Sequence, residues 1–275
     1  MLSWQPGDIV VKDVRLHYAR TGGSKPPLVL AHGVTDDGAC WSPVAEVLAA
    51  DYDVIAVDAR GHGFSEAPET GYDIATLAED LYGVIVALEL RKPAILGHSM
   101  GAITTLALAG LHPDVPRAIL LEDPPPWWLP ASQPPPQDNA SRPGIRDWFL
   151  GLGGQTRDEL IRGQHMATPS WSQVELDLWA DSKQRVSANV IHLFDPGVST
   201  NVAWSARLPR ITCPVLLITA DPSRGAIVTP EAAQALQVLI PHLSVATIQG
   251  SGHSIHREQF GEYMEAVRAC LAQLP

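Results

Sequence analysis

The chain has 275 residues, enough for one large α/β domain or one domain carrying an insertion, and its 45% hydrophobic and 18% charged content is that of a globular protein. A formal net charge of −11 argues against a nucleic-acid or anionic-membrane surface. The three cysteines, Cys40, Cys213 and Cys270, are far apart and outside any C-x-x-C pattern, so neither a disulfide framework nor a metal site is expected.

Met1 to Pro6 shows no basic segment followed by an apolar one, and no apolar run approaches the roughly 20 residues of a membrane span. A soluble cytoplasmic protein is the expectation. Ile9 to Lys12 and Arg15 to Tyr18 read as a β-hairpin joined at Asp13-Val14. Pro27 to Ala31 is an apolar strand that ends in His32-Gly33-Val34-Thr35, and Trp41 to Ala50 carries helical spacing. The next strand, Val54 to Val57, ends in Asp58-Ala59-Arg60-Gly61-His62. Ile74, Leu77, Leu81, Val84, Ile85 and Leu88 recur at steps of three and four, which predicts an amphipathic helix. Ala94 to Leu96 is a short apolar strand that runs into Gly97-His98-Ser99-Met100-Gly101, and Ala102 to Gly110 reads as a helix. Ala118 to Leu121 is a further strand, ending at Glu122-Asp123.

This β-α-β alternation implies parallel strands with right-handed crossovers and helices on both faces. It stops at Pro124. Residues 124–208 are rich in proline and hold six of the eight tryptophans, and two segments of capping-box form, Thr156-x-x-Glu159 and Ser172-x-x-Glu175, suggest short helices. The alternation resumes with the strand Val215 to Thr219, a helix opening at Thr229-Pro230-Glu231, a strand Leu243 to Ile248 and a closing helix from Phe260 to Leu271. Residues 1–123 and 209–275 are therefore expected to form the core, with 124–208 inserted between two strands of one sheet.

The pattern G-x-S-x-G between a strand and a helix is a nucleophile elbow, a turn so tight that its outer positions need glycine. A serine hydroxyl needs a base to take its proton. His253, in Gly250-Ser251-Gly252-His253 after the last strand, lies at the same sheet edge as Ser99 and is the candidate. A buried carboxylate must hold the imidazole. Asp221 follows the strand Val215 to Thr219 and gives the order Ser, Asp, His; Asp123, at the end of another strand on that edge, is the reserve. The backbone N–H groups of Val34 and Met100 are the candidate oxyanion donors. Asp36 and Asp37, beside them, read either as a solvated loop or as substrate contacts.

Taken together, His32-Gly33, Asp58-x-Arg60-Gly61-His62-Gly63, Gly97-His98-Ser99-Met100-Gly101, Asp221-Pro222 and Gly250-x-Gly252-His253 resemble the α/β-hydrolase fold family over nearly the whole length. The resemblance implies an eight-stranded, mostly parallel sheet with an antiparallel second strand and a helical cap (lid) inserted after strand 6. It also implies cofactor-free hydrolysis, and braces for the active-site loops at His32 and His62. One departure stands out: the link from Asp221 to Val228 is longer than usual. Trp127, Trp128, Trp148 and Trp179 of the insertion are candidate walls of an apolar cleft. The expected activity is that of a serine carboxylic-ester hydrolase acting on small to medium hydrophobic esters. A lactonase is the nearest alternative; a C–C bond hydrolase, a perhydrolase or a slow-turnover ligand receptor on the same fold stand further off.

Overall fold

The computed structural model describes residues 4–129, 144–198 and 202–274. Eight strands form one sheet: β1 (Gln5–Val11), β2 (Val14–Arg20), β3 (Pro27–Ala31), β4 (Asp53–Val57), β5 (Ala94–His98), β6 (Ala118–Glu122), β7 (Val215–Thr219) and β8 (Ser244–Thr247), in the spatial order β1-β2-β4-β3-β5-β6-β7-β8. Only β2 runs against its neighbours; the pairings from β4 to β8 are all parallel. The hairpin turn falls at Lys12-Asp13, one residue earlier than expected. Both residues have positive φ, 46° and 70°, the geometry of the tight turn that matches strand twist.

The central strands are buried along their length because helices cover both faces. Alternate residues feed two cores. Val29, Ile55, Ile95, Ile119 and Leu217 pack with α2 (Ile74–Ala87) and α3 (Met100–Leu111) on one face. Leu28, Leu30, Val54, Leu96, Leu120 and Leu216 pack on the other with α1 (Ser42–Leu48) and with Tyr263, Val267 and Leu271 of the closing helix Phe260–Ala272. The helix expected from Trp41 begins with a 3-10 turn, Gly38–Trp41, capped by the Asp37 side chain.

Between β6 and β7 the described chain is helical: α4 (Ile145–Leu152), α5 (Arg157–Ala167), α6 (Gln173–Lys183) and a short α7 (Trp204–Arg207). The Thr156 box closes in both directions. The second box closes in one only: Ser172 accepts from the Glu175 N–H, while the Glu175 carboxylate pairs with Arg257 instead. Leu152, Leu160, Trp171, Leu176, Trp179 and Ala180 make a small core of the insertion's own. After β7 come α8 (Pro230–Leu239), then β8, the short α9 (Ile255–Glu258) and α10 (Phe260–Ala272).

Candidate active site

Ser99 sits between β5 and α3 with φ at 51°, a conformation that side-chain-bearing residues adopt only when their surroundings impose it. The flanking glycines are steric requirements. A Cβ on Gly97 would collide with the Gly101 carbonyl, and one on Gly101 with the carbonyl oxygens of Ala31 and His32. The first turn of α3 thus lies directly on the end of β3, which brings Met100 beside the turn that carries Val34.

His253 reaches Ser99 from the loop after β8. Its Nε2 lies 3.0 Å from Ser99 Oγ, and its Nδ1 lies 2.7 Å from Asp123 Oδ2. A carboxylate only accepts, so Nδ1 carries the hydrogen and Nε2 offers its lone pair to the serine hydroxyl. Asp123 is fully buried at the end of β6. Its carboxylate also accepts from the backbone N–H groups of Ile227, at 2.9 Å, and Val228, at 2.9 Å, and its own φ is 41°. Desolvation alone would lower the His253 pKa. The hydrogen bond and charge of Asp123, with Glu122 and Asp36 further off, outweigh it and raise the pKa above 6.5.

The structure thus places Asp123, and not Asp221, against His253. The Asp221 side chain turns back to accept from the N–H and hydroxyl of Ser223, at 2.8 and 2.7 Å, and starts the 3-10 turn Pro222–Arg224. The long link from Asp221 to Val228 is the physical reason. Its extra residues carry the backbone across to β6, where Ile227 and Val228 donate to Asp123.

The turn after β3 is closed by the Asp36 N–H donating to the Gly33 carbonyl at 3.1 Å. The same carbonyl accepts from His32 Nδ1 at 2.8 Å, while His32 Nε2 accepts from the Ala59 N–H at 3.0 Å. Because a trans peptide sets N–H opposite C=O, fixing the Gly33 oxygen aims the Val34 N–H the other way. His62 also serves a loop, with Nδ1 2.9 Å from the Arg60 carbonyl; burial and the nearby His32 depress its pKa to about 3.

Sequence reasoning missed three groups. His98 is buried, and its Nε2 donates to the His253 carbonyl at 3.0 Å, anchoring the His253 backbone from the elbow itself. Burial, then repulsion from His253 and His256 against the pull of Glu122, holds its pKa down at about 3. Gly33 leaves room for it, since a Cβ there would stand 2.7 Å from His98 Nδ1. Glu122, buried beside Asp123, accepts from the N–H and Nδ1 of His256, each at 2.9 Å. Although burial alone would raise its pKa, His256 and His98 bring it down to about 2. Consecutive acids at the end of β6 therefore hold two histidines, His253 in the loop after β8 and His256 in α9. Asp36 and Asp37 are neither solvated nor open to substrate: they are buried and paired with Lys183 and Arg257, and with Arg185, respectively.

The tryptophans divide. Trp128 is buried, its indole N–H donating to the Ala232 carbonyl of α8 at 2.9 Å. Trp179 packs edge-on against Trp171 with Lys183 Nζ over its ring at 4.6 Å. Trp127 is half-buried against the main core just past Asp123, and Trp148 on α4 is exposed. Packing accounts for Trp128 and Trp179. Among the described residues, no helix is long and apolar enough to cross a membrane.

An eight-stranded sheet of this order, with a serine elbow, a histidine loop and a strand-end carboxylate on one edge, defines a hydrolase of the α/β class. The family model for the alpha/beta hydrolase fold matches residues 26–259, and the chain belongs to that family. It is 28% identical over 256 residues to an N-formylmaleamate deformylase of Pseudomonas putida, covering 90% of each chain. A 2-(acetamidomethylene)succinate hydrolase of Mesorhizobium japonicum is 38% identical over 104 residues, which are 38% of this chain and 37% of that one. Among solved structures, E-2-(acetamidomethylene)succinate hydrolase superposes with a TM-score of 0.80 at 21% identity, covering 98% of this chain and all of that one. The enol-lactonase from Burkholderia xenovorans LB400 gives 0.72 at 21% identity over 97% of this chain and 100% of that one. These two likenesses are of fold.

Proposed function

We propose that the chain is a serine hydrolase that cleaves small to medium hydrophobic carboxylic esters through an acyl-enzyme. The observation that carries this reading is the unbroken relay from Ser99 Oγ through His253 to Asp123, at 3.0 and 2.7 Å. Ser99 Oγ attacks the ester carbonyl carbon as His253 Nε2 takes its proton. The tetrahedral oxyanion is held by the N–H groups of Val34 and Met100, and losing one such donor costs roughly 3 kcal/mol. The C–O bond to the alcohol then breaks, with His253 returning the proton to the leaving oxygen. A water deprotonated by His253 attacks the acyl-serine and releases the acid. Asp123 keeps the imidazole in the required tautomer and stabilises its charged form.

In this reading residues 124–208 form the cap over the site, with Trp127 as a wall of the cleft. Residues 130–143 and 199–201 of that span fall outside the described chain. An uncharged substrate is favoured because Arg146, Arg157, Lys183 and Arg185 are each already paired with a carboxylate. A second reading, hydrolysis of an N-formyl or similar amide, is supported by the likeness to the P. putida deformylase along 90% of both chains. A lactone, as a cyclic ester, asks for the same chemistry in a different cleft. Turnover of p-nitrophenyl esters, acyl-homoserine lactones, larger lactones and N-formyl amides, each beside Ser99→Ala, tests the assignment. Ester turnover lost in Ser99→Ala supports the first reading; Ser99-dependent turnover of the amides alone replaces it with the second.

A further inference from the structure

The insertion and the turn after β3 are joined by a buried ionic cluster that makes no hydrogen bond to Ser99, His253 or Asp123 among the described residues. Lys183, the last residue of α6, has a side chain that is only 1% exposed. Its ammonium donates to Asp36 Oδ1 at 2.6 Å, to Ser182 Oγ at 3.0 Å and to the Thr35 carbonyl at 3.2 Å. The second oxygen of Asp36 accepts from Arg257 at 2.9 Å, and Arg257 reaches on to Glu175 of α6 at 3.2 Å. Arg185, two residues beyond Lys183, donates to Asp37 Oδ2 at 2.7 Å. Two consecutive acids of the turn are thus met by Lys183 at the end of α6 and Arg185 just beyond it, and Asp36 also meets α9, whose Arg257 lies four residues after His253.

The turn needs such a hold. Thr35 is β-branched yet has φ of 68°, a region that side-chain-bearing residues avoid. Of the three groups Lys183 grips, two belong to this turn: the Thr35 carbonyl and the Asp36 side chain. The Gly33–Val34 peptide, whose N–H points opposite the Gly33 oxygen, is fixed in part by the Asp36 N–H.

We infer that Lys183 is a positioning residue: seated with α6, it holds the strained Thr35-Asp36 turn so that the Val34 N–H faces the oxyanion. The inference rests on the serine-hydrolase reading above, and it makes the insertion part of the catalytic geometry. With Lys183 withdrawn, Thr35 relaxes towards negative φ, Asp36 swings with it and the Val34 donor turns away from the oxyanion. Binding of the ground-state ester changes little, because the ester's carbonyl oxygen carries little charge before attack.

The test uses the full-length protein in three variants. Lys183→Met removes the grip. Lys183→Met/Asp36→Asn removes both charges and leaves Arg257 matched by Glu175, so that the buried cluster carries no excess charge to threaten folding. Glu175→Gln cuts only the outer end of the cluster. For each, kcat and KM on p-nitrophenyl butyrate are measured beside the Ki of an alkylboronic acid, whose adduct with a serine places an oxygen where the oxyanion forms. In both Lys183 variants kcat should fall about 10- to 100-fold, with boronate Ki rising in step. KM should stay within about threefold and Glu175→Gln should keep both constants near wild type. A folded Lys183 variant with a lowered Tm but wild-type kcat and Ki would reduce the cluster to a structural tie and overturn the inference alone. Wild-type enzyme that neither binds the boronate nor gives an acyl-enzyme burst would overturn the serine-hydrolase reading and this inference with it.

Discussion

Replacing Asp123 by asparagine isolates the acid of the relay. Asp123 Oδ1 accepts from Val228 at 2.9 Å and from Ile227 at 3.2 Å, and its Oδ2 accepts from His253 at 2.7 Å and from Ile227 at 2.9 Å. An amide has one oxygen and one NH2, and the two backbone N–H groups decide which faces them. At the Oδ1 place the NH2 would oppose Val228, which has no other acceptor on this side chain, so the oxygen takes that place and accepts from Val228 and, at 3.2 Å, from Ile227. The NH2 then donates to His253 Nδ1, which must become the acceptor. The ring hydrogen moves to Nε2, where it points at Ser99 Oγ and cannot take the serine's proton. An imidazole in the wrong tautomer lowers kcat about 10⁴-fold in serine hydrolases, or about 5 kcal/mol of barrier. The side chain is neutral and nearly isosteric, so the fold should survive. Steady-state turnover of a p-nitrophenyl ester by Asp123→Asn and Asp221→Asn, with circular dichroism to confirm folding, is the assay. Asp221→Asn should stay within about threefold of wild type, since among the described residues its side chain bonds Ser223 and not His253. A folded Asp123→Asn with near wild-type kcat, or a larger loss in Asp221→Asn, would refute the reasoning.

Two pH dependences follow. His253 must be neutral to act as base and its pKa is raised above 6.5, so kcat/KM should climb to a plateau with a midpoint above 6.5. A midpoint at or below 6.5 would contradict the pull of Asp123. Stability should fall on the acid side for two reasons. His62 and His98 are buried neutral with pKa values of about 3, so the unfolded chain gains their protons first as pH drops from about 6.5 towards 3. Glu122, at about 2, contributes stability that is present above its unfolded value and fades as pH falls through its folded one. His253 acts in the opposite sense: its share is complete below about 6.5 and is lost as pH rises through its folded pKa. Tm measured from pH 8 to 4 should fall steeply below about 6, whereas a flat profile would count against the two buried neutral histidines.

How legible the protein was in its sequence depended on whether a feature was written locally. The sheet was, because β3 to β7 are short apolar runs and the elbow glycines answer to contacts within a few residues or with one strand end. Ser99 and His253 were legible as turn residues on one predicted edge. The acid was not. Asp123 and Asp221 both follow strands, and the choice lies in a backbone path: a lengthened link that delivers two N–H groups to Asp123 across more than a hundred residues of sequence. His98 was hidden as the variable position of its own motif. Asp36 and Asp37 looked like a solvated loop because their partners, Lys183, Arg185 and Arg257, are 147 or more residues away in sequence. The tryptophans of the insertion announced apolar surface without saying which face it covers; Trp128 packs against α8 and Trp179 against Trp171.

The central claim is that Ser99 becomes acylated. Rapid mixing with a p-nitrophenyl ester, followed by acid quench and peptide mass analysis, should show a burst of about one equivalent of p-nitrophenol and the acyl mass on the peptide that contains Ser99. Ser99→Ala should show neither and should retain less than about a thousandth of turnover. An acyl group found elsewhere, or turnover that survives in Ser99→Ala, would contradict the account.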